Sequence, residues 1–179
     1  MTRLRPAREK LAASERDFLR AADAISAVDW QQAPVSGGWS AAELVAHLCQ
    51  VERGVVAYAD RVIKKTPRPV IFYRRLHIPL AIVKWRLIRR KAPSAPDPAA
   101  LAGKESMMAE LRSVRERTLE FLEETRDRDL REYFWRHPFL GQLNFYGWFT
   151  FVAAHQARHT GQLLEIAKNL PKHVASSQK

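Results

Sequence analysis

The chain has almost no cysteine. Cys49 is the single one in 179 residues, so no disulfide can form within it. That usage suits a reducing compartment. Long hydrophobic runs are missing as well. Around position 80 the longest stretch without a formal charge is LHIPLAIV, far short of the ~20 residues of a membrane-spanning helix. The opening residues, MTRLRPAREKLAASERDF, lack the apolar centre of a signal peptide, and the expected location is the cytoplasm. There is no internal repeat and no glycine-rich phosphate loop. No apolar–polar alternation lasts long enough to predict a sheet. Acidic residues are missing from one interval, since none lies between Asp60 and Asp97.

That interval carries Arg61, Lys64, Lys65, Arg68, Arg74, Arg75, Lys84, Arg86, Arg89, Arg90 and Lys91. These eleven cations equal the whole net charge of +11, and the rest of the chain balances 19 basic against 19 acidic residues. The excess therefore describes one segment rather than the whole surface. Length and a hydrophobic content of 46% fit a single domain with a real core, here residues 1–179.

Four segments have helical period. The first covers about 8–28, with Leu11, Phe18 and Ile25 spaced by sevens, and the run to Gly38 breaks it. The second covers about 40–64, with a stripe of Leu44, Leu48, Val51, Val55, Tyr58 and Val62. Ser40 and Glu43 make a capping box at its start. The third covers about 104–126, with Met108, Leu111, Val114, Thr118, Phe121 and Leu122. The fourth covers about 144–169, with Asn144 as cap and Phe145, Trp148, Phe149, Val152, Leu163, Ile166 and Leu170 inward; Pro171 ends it. Four such helices predict an all-α four-helix bundle. The piece at about 65–102 is much longer than an ordinary bundle connection. It is a basic insert in which residues 80–91 predict a short helix, and the tail at 171–179 is expected to fray.

Three histidines fall inside these apolar stripes. His155 and His159 are four apart and share one helix face. His155 lies three after Val152, and His159 four before Leu163. His47 lies three after Leu44 and four before Val51. A polar ring in a core stripe needs a partner, and three on facing stripes can share a divalent metal ion. Three imidazoles leave coordination positions open, as catalytic rather than closed structural sites do. Nitrogen donors suit zinc or nickel. The bland alternative is three packed core histidines that bind nothing. Cys49 and the pair Met107 and Met108 read as packing residues.

Taken together, Trp39-Ser-x-x-Glu43-x-x-x-His47-Leu, His137-Pro-x-x-Gly141 running into Trp148, and His155-x-x-x-His159-x-x-Gln162 resemble the DinB/YfiT-like superfamily over nearly the whole chain. The resemblance implies an up-down-down-up four-helix bundle in which His47, His155 and His159 hold a divalent metal. It also implies chemistry with a low-molecular-weight thiol as co-substrate, since several members are thiol-dependent transferases or isomerases. The insert between helices two and three departs from the family pattern. A homodimer through bundle faces is expected by analogy with the family.

Other residues near these motifs carry two readings each. Trp39 reads as a lid over the bundle end rather than a substrate contact, and Glu43 as a cap rather than a general base. Glu52 reads as a solvated surface residue, the alternative being a hydrogen bond to a ligand histidine. Gln162 reads equally as a neighbour of the site or a contact to the opposite helix. His137 reads as an ordinary loop residue, although with Arg136 it could flank a pocket mouth. Arg158 reads as surface.

The insert, IFYRRLHIPLAIVKWRLIRRK at 71–91, mixes apolar residues with clustered cations. Docking on the bundle or on a second subunit is the favoured reading; peripheral contact of residues 70–91 with anionic lipid is the next. Nucleic acid has only the charge in its favour. Two function classes follow. One is a metal-dependent enzyme acting on small molecules, a thiol S-transferase or hydrolase. The other is a non-catalytic bundle anchored to a membrane or protein partner through the insert.

Overall fold

The computed structural model describes residues 4–35, 37–67 and 101–170. Their helices are α1 (Arg5–Ala22), α2 (Ala41–Ile63), α3 (Lys104–Glu124) and α4 (Phe145–Asn169). A two-stranded antiparallel hairpin, β1 (Phe134–His137) and β2 (Gly141–Asn144), stands between α3 and α4. The architecture is an all-α bundle, as the four periodic segments predict.

Local chemistry sets the helix ends. Ser40 Oγ accepts from Glu43 N and the Glu43 carboxylate accepts from Ser40 N, so the expected capping box is complete. Asn144 Oδ1 accepts from Gly147 N at 2.8 Å and starts α4. Leu170 is extended, as the residue before a proline prefers, and α4 stops there. Helix α1 ends six residues earlier than its stripe suggests, although Leu11, Phe18 and Ile25 are all fully buried. Tyr58 departs from its stripe: it is 46% exposed and faces Trp135 across 5.9 Å.

Contacts between ends fix the chain direction. Arg128 donates to Ile63 O at 2.6 Å, which brings the exit of α3 to the exit of α2. Lys104 donates to Ile25 O at 2.7 Å, so the entry of α3 meets the exit of α1. Val35 N donates to Asn169 O at 3.1 Å, which places the exit of α4 beside the entry to α2. Helices α1 and α4 therefore run one way and α2 and α3 the other, an up-down-down-up order. Parallel successive helices cannot share a short loop. The return along α2, about 35 Å, needs at least ~10 extended residues, and about forty lie between Ile63 and Lys104. The expected helix at 80–91, the lipid, docking and nucleic-acid readings of residues 70–91, and the tail at 171–179 all fall outside the described residues.

The hairpin corrects the expectation of no sheet. Its strands are four residues each, too short for alternation to register. Gly141 has φ 84°, a left-handed conformation that favours glycine, and opens β2. Trp135 on β1 stacks on Trp148 of α4 at 5.2 Å and 9°, and Trp148 Nε1 donates to Trp135 O. The hairpin thus closes the end of the bundle where α4 begins.

The apolar core forms two clusters. One gathers Leu11, Val55, Phe121, Phe145, Phe149 and Val152; the other gathers Phe18, Leu44, Leu48, Leu111, Val114 and Leu163. The turn of each helix between them is polar: Ser14 on α1, Glu52 on α2, Arg115 on α3 and Gln156 on α4, all buried. Among the described residues no helix is long and apolar enough to cross a membrane.

Candidate metal centre

Helices α2 and α4 bring His47, His155 and His159 together. Ring centroids lie 5.2 Å apart for His47–His155, 5.2 Å for His47–His159 and 4.5 Å for His155–His159. One ring nitrogen from each falls within 4.8 Å of the others. His47 and His159 are buried, and His155 is half-buried.

Burial controls their charge. Desolvation pushes the His47 imidazole below its ordinary value and takes His159 down to about 3, where the neighbouring His47 adds to the effect. His155 is depressed well below the ordinary range, first by burial and then by His159 and His47. All three rings are therefore neutral at pH 7, the state a metal ligand needs.

Gln162 is the polar partner of His159. Gln162 Oε1 lies 2.5 Å from His159 Nδ1 and, as a carbonyl oxygen, can only accept. An Nδ1–H donated to this oxygen leaves the Nε2 lone pair facing His155 Nε2 at 3.1 Å. Two imidazole nitrogens on one tetrahedral zinc sit about 3.3 Å apart. The separation, the neutral rings and the outer-shell amide of Gln162 all fit a nitrogen-ligated divalent ion.

The walls of the site are aromatic. Trp39 meets His47 edge-on at 5.0 Å, in keeping with a lid, and Phe151 packs on His155 at 5.3 Å. Gln162 is a neighbour of the site. Glu43 is the cap, while Arg136 is exposed and Arg158 half-buried. Cys49 is a buried packing residue whose thiol is pushed up to about 12, chiefly by burial, so it is no thiolate nucleophile. Met107 and Met108 are in the core.

Two readings are corrected. His137 is not an ordinary loop residue: it is buried on β1, its ring packs on Phe151 at 4.4 Å, and its Nδ1 accepts from Phe139 N and Leu140 N. It holds the hairpin turn, and burial takes its pKa down to about 4. Glu52 is not a solvated surface residue. It is 3% exposed and forms a two-pronged pair with Arg115, at 2.8 and 2.9 Å.

Sequence reading passed over Arg115, Ser14 and Gln156. A signal was present: each sits at core spacing, Arg115 four after Leu111, Ser14 three after Leu11, and Gln156 four after Val152. Polar side chains at core positions are the same clue that exposed the histidines.

Comparison with known proteins agrees with this architecture. The uncharacterised protein YuaE of Bacillus subtilis (strain 168) is 28% identical over 143 residues, which cover 79% of this chain and 85% of that protein. No solved structure matches the chain at a significant level. The profile of the DinB superfamily matches residues 10–163, a span that takes in most of the bundle and all three histidines. With four helices in up-down-down-up order and the trio set between α2 and α4, the chain belongs to the DinB superfamily.

Proposed function

We propose that the chain is a divalent-metal-dependent enzyme acting on small molecules, and that its chemistry is thiol-dependent S-transfer or a closely related hydrolysis. The observation that carries this reading is the convergence of three neutral imidazoles, with the lone pair of His159 Nε2 aimed by Gln162.

His47, His155 and His159 would hold the ion, and zinc or nickel suits an all-nitrogen donor set. A bound ion there supplies Lewis acidity, which lowers the proton affinity of a thiol or a water molecule at neutral pH. The side chains divide the remaining work. Gln162 keeps the proton on His159 Nδ1 and so keeps Nε2 free as a donor atom. Trp39 and Phe151 cover the rings and limit water around them, which strengthens charge interactions inside. Three protein ligands leave room for a small molecule beside the ion. Cys49 takes no part as nucleophile, so a thiol nucleophile would come from a low-molecular-weight co-substrate.

The test is the metal content of untagged protein purified without a nickel column, beside a His47→Ala, His155→Ala, His159→Ala triple variant. The expected result is about one metal per chain in the parent and none in the variant. Turnover of electrophiles with added thiols would follow. A parent chain that stays empty after loading with zinc and with nickel overturns the reading.

A further inference from the structure

We infer that Arg115, whose hydrogen bonds go to Glu52, Leu11 and Gln156 rather than to the three histidines, is a positioning residue that sets the spacing of the imidazole trio by locking the two ligand-bearing helices in register.

The cluster around Arg115 joins all four helices at one level. Its Nε and Nη2 donate to the two Glu52 oxygens on α2, its Nη1 donates to Leu11 O on α1 at 2.6 Å, and its Nη2 also donates to Gln156 Oε1 on α4 at 3.0 Å. Ser14 of α1 donates to the same Gln156 oxygen at 2.8 Å. The guanidinium is 2% exposed, and no methylene chain or lysine could offer this fork of donors.

The two attachment points lie on the ligand helices, close to the ligands. Gln156 is the residue after His155, and Glu52 is five residues after His47, about 7.5 Å along the axis. His47 is the one ligand from α2, whereas His155 and His159 ride together on α4. The pair on α4 keeps its own spacing through the helix. The distance from His47 to that pair depends on how α2 is slid and rotated against α4. A 10° rotation of α2 moves a side-chain tip by about 1 Å, while metal–ligand distances tolerate only about 0.2 Å.

Stability alone does not account for such a cluster. Replacing a buried ion pair by apolar side chains of similar volume is often neutral or stabilising. Apolar clusters lie directly above and below this level and could have been continuous through it. What an apolar layer would not supply is a single axial and rotational register, which directional hydrogen bonds from α3 to the other three helices do.

The inference rests on reading the trio as a metal site, and the experiment separates the two. The Glu52→Leu, Arg115→Met double variant removes both charges together, so neither is stranded, and Ser14 still satisfies Gln156. Zinc affinity is measured by competition with a chelator, and imidazole nitrogen NMR spectra are recorded on the metal-free protein. The expected result is a cooperatively folded variant whose zinc affinity falls about tenfold or more. Its His159 nitrogen signals should move from a fixed tautomer toward exchange-averaged values. A folded variant that binds zinc within about twofold of the parent, with an unchanged imidazole spectrum, overturns the inference while leaving the metal site standing. A parent that binds no zinc removes the metal site, and the imidazole spectra then decide the positioning role by themselves. Should the double variant fail to fold, Arg115→Lys, which keeps the charge but not the fork, takes its place in both measurements.

Discussion

Two polar clusters lie buried in the same bundle, and they differ in how completely they are satisfied. Around Arg115 each charge meets its opposite: the guanidinium donates four hydrogen bonds, and both Glu52 oxygens accept. Around the histidines the pattern is open. Gln162 takes the outer nitrogen of His159, and the inner nitrogens converge on one another. Charge follows the same division, with a full ion pair in one cluster and three neutral rings in the other. A closed cluster holds structure, whereas an open one with convergent ring nitrogens could hold a metal ion.

The most direct way to break this comparison is to unpair the closed cluster. Arg115→Met with Glu52 intact leaves a buried carboxylate without its partner. The expected loss is about 3–5 kcal/mol, read as a lower urea midpoint at unchanged slope. Replacing His159 by Leu should cost far less, since a neutral ring leaves no stranded charge. Equal losses at the two positions would erase the distinction between a structural and a receptive cluster.

Acid probes the open side. Folded His137 titrates at about 4 and His159 at about 3, against 6.5 for a free imidazole, and burial is the leading cause for both. Between those values the unfolded chain binds protons that the folded chain does not. Stability of the metal-free protein is therefore full above about pH 6.5 and falls as the pH drops toward 4. Each such histidine contributes a slope of about 1.4 kcal/mol per pH unit. Urea midpoints at pH 7, 6 and 5 measure it, and His137→Asn should remove one histidine's share. A flat profile would mean that the rings are hydrated in the folded state.

Much of the bundle was legible because its signals are local. The capping box at Ser40 and Glu43, the cap at Asn144 and the stripes of α2, α3 and α4 all depend on neighbours within a turn or two. The trio was legible for a related reason, since each histidine occupies a core-spaced position on its own helix. What escaped depends on pairing across the fold. Glu52 resembles a surface glutamate until Arg115, 63 residues away, is seen to enclose it. The two four-residue strands are held by a glycine turn, by His137 and by the stacked Trp135 and Trp148, none of which gives a periodic pattern. The length of the α2–α3 connection had a topological cause: a return between parallel helices cannot be short.

The smallest expected effect separates stability from site geometry. Ser40→Ala removes the oxygen that accepts from Glu43 N and leaves the first turn of α2 with an unmet donor. The expected cost is about 1 kcal/mol of folding stability. Fraying should stay within the first turn, and His47 lies seven residues beyond Ser40, roughly two turns in. Zinc affinity should then stay within about twofold of the parent, even though the variant is measurably less stable. Set beside the Glu52→Leu, Arg115→Met protein, this gives a crossed result: one variant loses stability and keeps affinity, and the other keeps stability and loses affinity. A tenfold fall in affinity for Ser40→Ala would move control of the trio from the Arg115 level to the helix end.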